Sequence, residues 1–219
     1  MTNLLDQYTP HIDILFSAVL ADVLDVLGHR TSALPPDIRP LQPDMKLFGR
    51  AATLQAVTVS QEPANPYAVE MDCIDNLQPG DVLIAGTNGD RNSALWGELL
   101  STACKARKAA GVVIDGLTRD TAKILEMNFP VYAAGYSPLD SKGRIDCVHH
   151  GQRIQIGACT IKQGDYIFAD VDGIVVIPSE LADQALTKAL EKVQGENIVR
   201  DELAKGRKVS EVFAEYGIL

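Results

Sequence analysis

The sequence predicts an α/β fold, with a largely parallel sheet built from crossover units and followed by further strands and helices. Three observations predict it. The apolar runs Val82 to Ala85, Val112 to Asp115 and Val131 to Ala134 alternate with segments of helical spacing between residues 94 and 128. From residue 145 to 177 the pattern changes to short β-branched runs separated by Gly157, Gly164 and Gly173. After residue 179 it becomes polar-faced and helical. Strand, helix, strand, helix, strand is the succession that places neighbouring strands parallel.

Taken in order, Val19, Leu20, Val23, Val26 and Leu27 recur at helical spacing, with Ser17 able to cap and Gly28 able to stop. Thr31 to Asp44 carries Pro35, Pro36, Pro40 and Pro43 and reads as a surface loop. Ala51 to Val59 alternates as a strand, and Pro79-Gly80-Asp81 turns the chain into the strand Val82 to Ala85. The loop GTNGDRNS follows, where Asn92 or Ser93 can cap a helix over residues 94–110 carrying Leu95, Leu99, Leu100, Ala103 and Cys104 on one face. After the strand Val112 to Asp115 and the turn Gly116-Leu117-Thr118, a helix from Arg119 to Asn128 is stopped by Pro130. The runs at 145–177 are predicted to form a second sheet packed on the first. Helices are expected over Ser179 to Val193, Glu196 to Lys205 and Val209 to Tyr216. Residues 1–178 then make a core domain, and 179–219 a helical segment on that core and on a neighbouring subunit.

Composition narrows the function. The 219 residues are 46% hydrophobic and 22% charged, the balance of one globular core. Twenty basic against 29 acidic side chains give a formal charge of −9, which repels phosphate backbones and excludes nucleic acid as the expected partner. A small anionic ligand would need a local cation, an arginine or a metal. The best apolar run, Ile14 to Ala21, is far short of the roughly 20 residues of a membrane helix and is broken by Ser17. The start MTNLLDQYTPHID carries Asp6 and Asp13 and has no basic start before an apolar stretch, so a cytoplasmic location is expected. Cys73, Cys104, Cys147 and Cys159 lack CxxC spacing and are expected to be reduced, buried thiols. The histidines show no HExxH spacing, and His149-His150 read as a solvated turn before Gly151.

The chemistry is expected at one edge of the sheet. A helix start and the end of the strand after it share the edge where open α/β sheets place ligands, because helix N–H groups and loops meet there. Trp96, Gly97, Glu98, Leu99 and Leu100 should therefore face Asp115, Thr118, Arg119 and Asp120. Arg119 offers a planar fork for a carboxylate and a carbonyl oxygen. Asp120 and Glu98 offer hard oxygens to Mg²⁺ or Mn²⁺, and Gly97 lets a carboxylate approach the amides of residues 97–100. Plainer readings stand beside these: Arg119-Asp120 as a capping pair, Glu98 as a solvated acid, Trp96 as core, and Asp115 and Asp90 as turn chemistry.

The run WGELLSTACKARKAAGVVIDGLTRD closely resembles the signature shared by the regulator of ribonuclease activity A and the class II 4-hydroxy-4-methyl-2-oxoglutarate / 4-carboxy-4-hydroxy-2-oxoadipate aldolases. The resemblance extends through ADVLDVLG, FGRAATL, PGDVLIAG, DGIVVIPSE and ENIVRDELAKGRKVSEVFAEYGIL. It implies a three-layer β/β/α swivelling-domain-like fold with C-terminal helices, assembled as a homotrimer or dimer of trimers with sites between subunits. It further implies a lyase that releases pyruvate from 4-hydroxy-2-oxo acids of the 4-hydroxy-4-methyl-2-oxoglutarate type, with oxaloacetate decarboxylase activity. The aldolase branch carries an acid, twenty residues, then Arg-Asp; here these are Glu98, Arg119 and Asp120, with Glu in place of the usual Asp. By that likeness the amides of Gly97, Glu98, Leu99 and Leu100 bind the pyruvyl carboxylate, Arg119 holds the substrate, and Asp120 ligates the metal. Glu98 and a neighbouring subunit's Glu196 hold metal-bound water, with Glu202 the nearest rival to Glu196. The alternative is a regulator that binds ribonuclease E. Methyl transfer to a quinone is disfavoured, since no GxGxG loop follows an early strand.

Overall fold

Strand β2 (Leu47–Thr58), twelve residues long and buried along most of its length, is the spine of the fold. The computed structural model describes residues 3–218. Along one side β2 pairs in parallel with β3 (Asp81–Gly86), which leads to β5 (Gly111–Ile114) and β7 (Val131–Ala133), again in parallel. The two-residue β1 (Arg39–Pro40) closes that side antiparallel. Along its other side β2 pairs antiparallel with β11 (Tyr166–Ala169) near its start and with β8 (Ile145–His150) near its end, and β12 (Ile174–Ile177) extends β11. The parallel strands are the near-continuous apolar runs of the sequence, as burial on both faces requires.

The sheet curls, and its two limbs face one another across a shared core. Val82, Ile84, Val113 and Tyr132 of the parallel limb meet Ile167, Ala169, Ile174 and Val176 of the antiparallel limb, with the hairpin β9 (Ile154–Ile156) and β10 (Cys159–Ile161) filling the mouth. The outer face of the parallel limb packs on α3 (Ala68–Asp75), α4 (Glu98–Ala106) and α5 (Thr121–Glu126). The outer face of the antiparallel limb packs on α1 (Leu4–Tyr8), α2 (Ser17–Val26) and α6 (Ala182–Ala204). Helix α7 (Val209–Tyr216) follows α6 and packs on it. No helix among the described residues is long and apolar enough to cross a membrane.

The structure corrects several expectations of detail. The runs at 145–177 do not form one separate sheet: β8, β11 and β12 hydrogen-bond into the main one through β2 and become the second β layer by its curl, while the β9–β10 hairpin stands as a small sheet of its own. The helix expected over 94–110 starts at Glu98, because Ala94–Trp96 form strand β4 and pair in parallel with β6 (Leu117–Thr118). Neither Asn92 nor Ser93 caps it; Gly97 is the cap residue. Asp120 is left-handed (φ 57°), so α5 cannot include residues 119 and 120. The two helices expected from Ser179 to Lys205 are one continuous α6, whose buried Ala182, Ala185, Leu186, Ala189, Val193 and Val199 outweigh the roughly 1 kcal/mol that Gly195 costs in a helix. His149 and His150 end strand β8 and are half-buried, and His150 Nε2 lies 2.8 Å from Asp72.

Candidate active site

The small β4–β6 pairing sets the site. Opposing Trp96 to Thr118 brings Gly97-Glu98 alongside Arg119-Asp120, and the Arg119 amide donates to the Trp96 carbonyl at 2.9 Å. The Asp120 carboxylate then reaches the beginning of α4, where its Oδ2 accepts from the Glu98 amide at 3.2 Å. A negative charge is stabilised there by the unpaired amides and the helix dipole. Gly97 is required for the approach: a Cβ at that position would lie 2.8 Å from Asp120 Oδ2 and 3.3 Å from Arg119 Cγ. Trp96 is buried, with Nε1 donating to Ser101 Oγ at 2.8 Å, so this end of the helix rests on a rigid core.

Arg119 lies between two carboxylates. Its Nε is 3.6 Å from Asp120 Oδ2 and its Nη2 is 3.4 Å from Asp140 Oδ1. Its guanidinium makes no hydrogen bond among the described residues, which leaves its donors open to a ligand carboxylate. Asp140 is held in turn by the Tyr67 hydroxyl, 3.3 Å from Oδ2. These groups border a cavity of about 340 Å³ whose other walls include Met71, Leu95, Trp96, Leu99 and Leu100. The volume suits a small metabolite.

Sequence reasoning missed a carboxyl group in this cavity. Glu70, on α3, lines it and is 3% exposed, and its Oε1 has no hydrogen-bond partner among the described residues. Burial, aided by the Asp140 and Asp146 carboxylates, raises its pKa from 4.5 to about 7. The signal is present in the sequence: Glu70 stands at helical spacing before the buried Cys73 and Ile74, on an apolar face.

This shift has a consequence for stability. The folded protein holds the Glu70 proton more tightly than the unfolded chain. The contribution is therefore present in full below pH 4.5 and is lost as pH rises through about 7. Between pH 5 and pH 8 the loss is about 2 kcal/mol, and Glu70→Gln should remove it. Urea unfolding of both proteins at the two pH values measures the difference, and an identical pH dependence in the variant would refute the titration assigned to Glu70.

The remaining predicted residues fall as follows. The Glu98 amide reaches Asp120, but its carboxylate turns along its own helix to accept from Thr102 Oγ1 at 3.1 Å. Leu99 is 76% exposed at the rim, and the amides of Leu99 and Leu100 belong to the first turn of α4, which has no carbonyl one turn back. Asp115 is buried and ties down the neighbouring loop by accepting from the amides of Thr87 and Gly89. Asp90 accepts from Thr58 Oγ1 and from the Asn92 amide and side chain, so both acids serve the loop. Glu196 lies on α6, 3.7 Å from Lys192, on the limb away from the cavity. Glu202 is engaged by Lys205 and Arg207. Cys73, Cys104, Cys147 and Cys159 are free and buried, as expected.

A metal can be tested against these donors. Among the described residues no three His, Cys, Asp or Glu side chains converge as a metal cage. Asp120 does leave Oδ1 without a hydrogen bond among those residues, directed by a fixed Oδ2 contact. One hard oxygen fits a Mg²⁺-like ion that keeps most of its waters, not a zinc-type cage.

Fold and site together define an α/β protein with a cleft at the sheet edge, where a guanidinium and a carboxylate sit against a helix start. The chain belongs to the RraA-like family (Aldolase/RraA), whose model matches residues 17–176. It is 31% identical over 173 residues to a Halalkalibacterium halodurans protein named "Putative 4-hydroxy-4-methyl-2-oxoglutarate aldolase", covering 79% of this chain and 77% of that one. It is 28% identical over 200 residues to Protein DlpA of Legionella pneumophila, covering 91% of this chain but only 32% of DlpA's length. Among solved structures it is similar to Streptomyces coelicolor RraAS2, described as an unusual member of the RNase ES inhibitor RraA protein family. The TM-score is 0.76 at 28% identity, covering 84% of this chain and 90% of that one.

Proposed function

We propose that this protein is a divalent-metal-dependent class II pyruvate aldolase acting on 4-hydroxy-2-oxo acids, and that the same groups decarboxylate oxaloacetate. The observation that carries the reading is the Arg119-Asp120 pair held against the amides that open α4. The family's aldolase names support it. A Mg²⁺ or Mn²⁺ ion at Asp120 would supply a Lewis acid for the 2-oxo oxygen.

This chain's groups account for the rest. The first-turn amides of α4 that Asp120 leaves free, those of Leu99 and Leu100, and the Arg119 fork bind the pyruvyl carboxylate and orient the 2-oxo group. A water held near Glu98 takes the 4-hydroxyl proton; the C3–C4 bond then breaks, C4 becomes a carbonyl, and the electron pair ends as a pyruvate enolate. Arg119 stabilises that negative charge, and protonation at C3 gives pyruvate. Loss of CO₂ from oxaloacetate leaves the same enolate. A coupled assay for pyruvate release from several 4-hydroxy-2-oxo acids and oxaloacetate, with metal and with chelator, tests the reading. No metal-dependent pyruvate from any of them would sink it.

A second reading is favoured by the likeness to RraAS2: a regulator that binds a ribonuclease of the E type. Binding of such a nuclease in the presence of chelator, without pyruvate release, would select it.

The working unit proposed is a cytoplasmic homotrimer or dimer of trimers, with Glu196 of a neighbouring copy completing the site. Glu196 is too far round its own fold to do so within one chain, since α6 packs on α2. Mixing inactive Asp120→Ala protomers with inactive Glu196→Ala protomers should restore part of the activity, because some hybrid sites regain both groups. No recovery after demonstrated subunit exchange would sink the shared site, and a fully active Glu196→Ala would sink that residue's assignment.

A further inference from the structure

The segment after β7 runs past the cavity and is stitched to both short strands that build the site. The Thr118 amide donates to the Gly135 carbonyl at 3.0 Å, the Ser137 amide to the Thr118 carbonyl at 3.0 Å, and the Ala94 amide to the Leu139 carbonyl at 2.9 Å. Tyr136 therefore lies opposite Thr118, the residue before Arg119, and Asp140 lies opposite Ala94 at the start of β4. Backbone hydrogen bonds thus hold Asp140 and Arg119 in one frame.

The Asp140 carboxylate does nothing for its own loop. A loop aspartate commonly bonds to backbone amides just beyond it. Among the described residues this one has two side-chain partners and neither is local: Oδ1 lies 3.4 Å from Arg119 Nη2, and Oδ2 accepts from the Tyr67 hydroxyl at 3.3 Å. The cations that follow in the chain are engaged by other groups, Lys142 by Glu62 at 3.0 Å and Arg144 by the Asp140 backbone carbonyl at 3.0 Å. Tyr67 is fixed in its turn. It heads α3 in a left-handed conformation (φ 67°), which is costly for an aromatic residue, and its carbonyl accepts from the Met71 amide at 2.8 Å.

An acid at this place works against simple anion capture. Arg119 already faces Asp120, with Nε 3.6 Å from Oδ2, and a second carboxylate weakens the positive potential that an incoming anion meets. What the second acid adds is direction. With one edge of the guanidinium against Asp120 and Nη2 against Asp140, the plane of a long, flexible side chain is restrained on two sides, and a planar fork serves a carboxylate and a carbonyl oxygen only when its plane is set. We infer that Asp140, steadied by Tyr67, is a positioning residue that sets the Arg119 guanidinium for the enolate-forming step, at a cost in affinity for the anion. The inference rests on the aldolase reading, which gives Arg119 its place beside the reacting carbonyl.

Turnover and product affinity should move apart. Asp140→Asn keeps the shape and an oxygen for Tyr67 but removes the charge that restrains Arg119, at a side chain 40% exposed where the fold tolerates the change. It should lower kcat for pyruvate release about ten-fold or more, because a small misplacement of a group at the reacting centre is costly. Pyruvate, titrated calorimetrically in the presence of Mg²⁺, should bind as tightly as to the wild-type protein or more tightly. Tyr67→Phe removes only the hydroxyl and should lower kcat about three-fold, the scale of one neutral hydrogen bond. On an Arg119→Lys background there is no fork left to orient, so Asp140→Asn should cost no more than about two-fold. Wild-type kcat in Asp140→Asn overturns the inference. So does pyruvate binding that weakens by the same factor as kcat falls, which is general damage to the site. An undiminished loss on the Arg119→Lys background shows that Asp140 does not act through Arg119 and overturns it as well. Unchanged kcat in Tyr67→Phe overturns the part given to Tyr67. These results leave the aldolase reading standing, whereas a wild-type protein that neither releases nor binds pyruvate sinks that reading and the inference with it.

Discussion

Asp120→Asn is expected to abolish metal-stimulated pyruvate release while the protein stays folded. The Asp120 carboxylate has two separable roles. Its Oδ2 accepts the Glu98 amide and caps α4, a contact worth about 1 kcal/mol. Its Oδ1 is the hard oxygen offered to an ion. Asparagine keeps the cap and is at ease in the left-handed conformation that residue 120 adopts, so structure survives while the charge is lost. Loss of several kcal/mol of transition-state charge stabilisation corresponds to a drop of about 10³-fold or more. Asp120→Ala should match it in activity but cost more in stability. Gly97→Ala should reproduce part of the defect, because the added Cβ would stand 2.8 Å from the carboxylate oxygen and displace it. Pyruvate release across a Mg²⁺ titration, with circular dichroism as the control for folding, reads all three. Undiminished wild-type turnover after exhaustive chelation would remove the mechanism.

What could be read from the sequence followed from how local each determinant is. The parallel strands were legible because Val82 to Ala85 and Val112 to Ile114 are buried on both faces and therefore continuously apolar. The placing of Arg119 and Asp120 beside Gly97 and Glu98 followed from topology. The short pairing that fixes it did not, because Ala94, Leu95 and Trp96 continue the apolar spacing of the helix after them. That they form a strand depends on Leu117 and Thr118, which tertiary pairing supplies and local propensity does not. The join of β8, β11 and β12 to β2 was hidden for the same reason: spacing reveals strands but not their partners. Continuity of α6 through Gly195 reflects burial against α2 and the approach of Ile218 to Gly195, neither of which is local. Glu70 was passed over because its helix is short and weakly amphipathic, and its isolation from water is completed by the strand β8 that packs on α3. Tyr67 and Asp140 reach the cavity from a helix cap and a loop, where no period marks them.

Arg119→Ala is expected to lower kcat by about 10² to 10³-fold, by analogy with removal of one oxyanion donor, and to leave the fold in place. The pairs that Arg119 makes are long, 3.6 and 3.4 Å, and its side chain is 36% exposed. Pairs of that kind add little to stability. Their effect on chemistry is larger, because the enolate acquires its charge beside the guanidinium only as the bond breaks. Removing the cation also leaves the Asp120 and Asp140 carboxylates with no positive neighbour in the cavity, which should raise KM for any anionic substrate. Arg119→Lys separates the two effects. Its ammonium keeps the charge and should recover much of KM, but a point donor cannot span the carboxylate and the 2-oxo oxygen, so kcat should stay low. Steady-state kinetics on both variants read the split, with thermal unfolding as the control. Wild-type kcat in Arg119→Ala would show that the reacting carbonyl lies elsewhere. Full rescue of kcat by lysine would show that charge alone, without the planar pair of donors, is what the reaction needs.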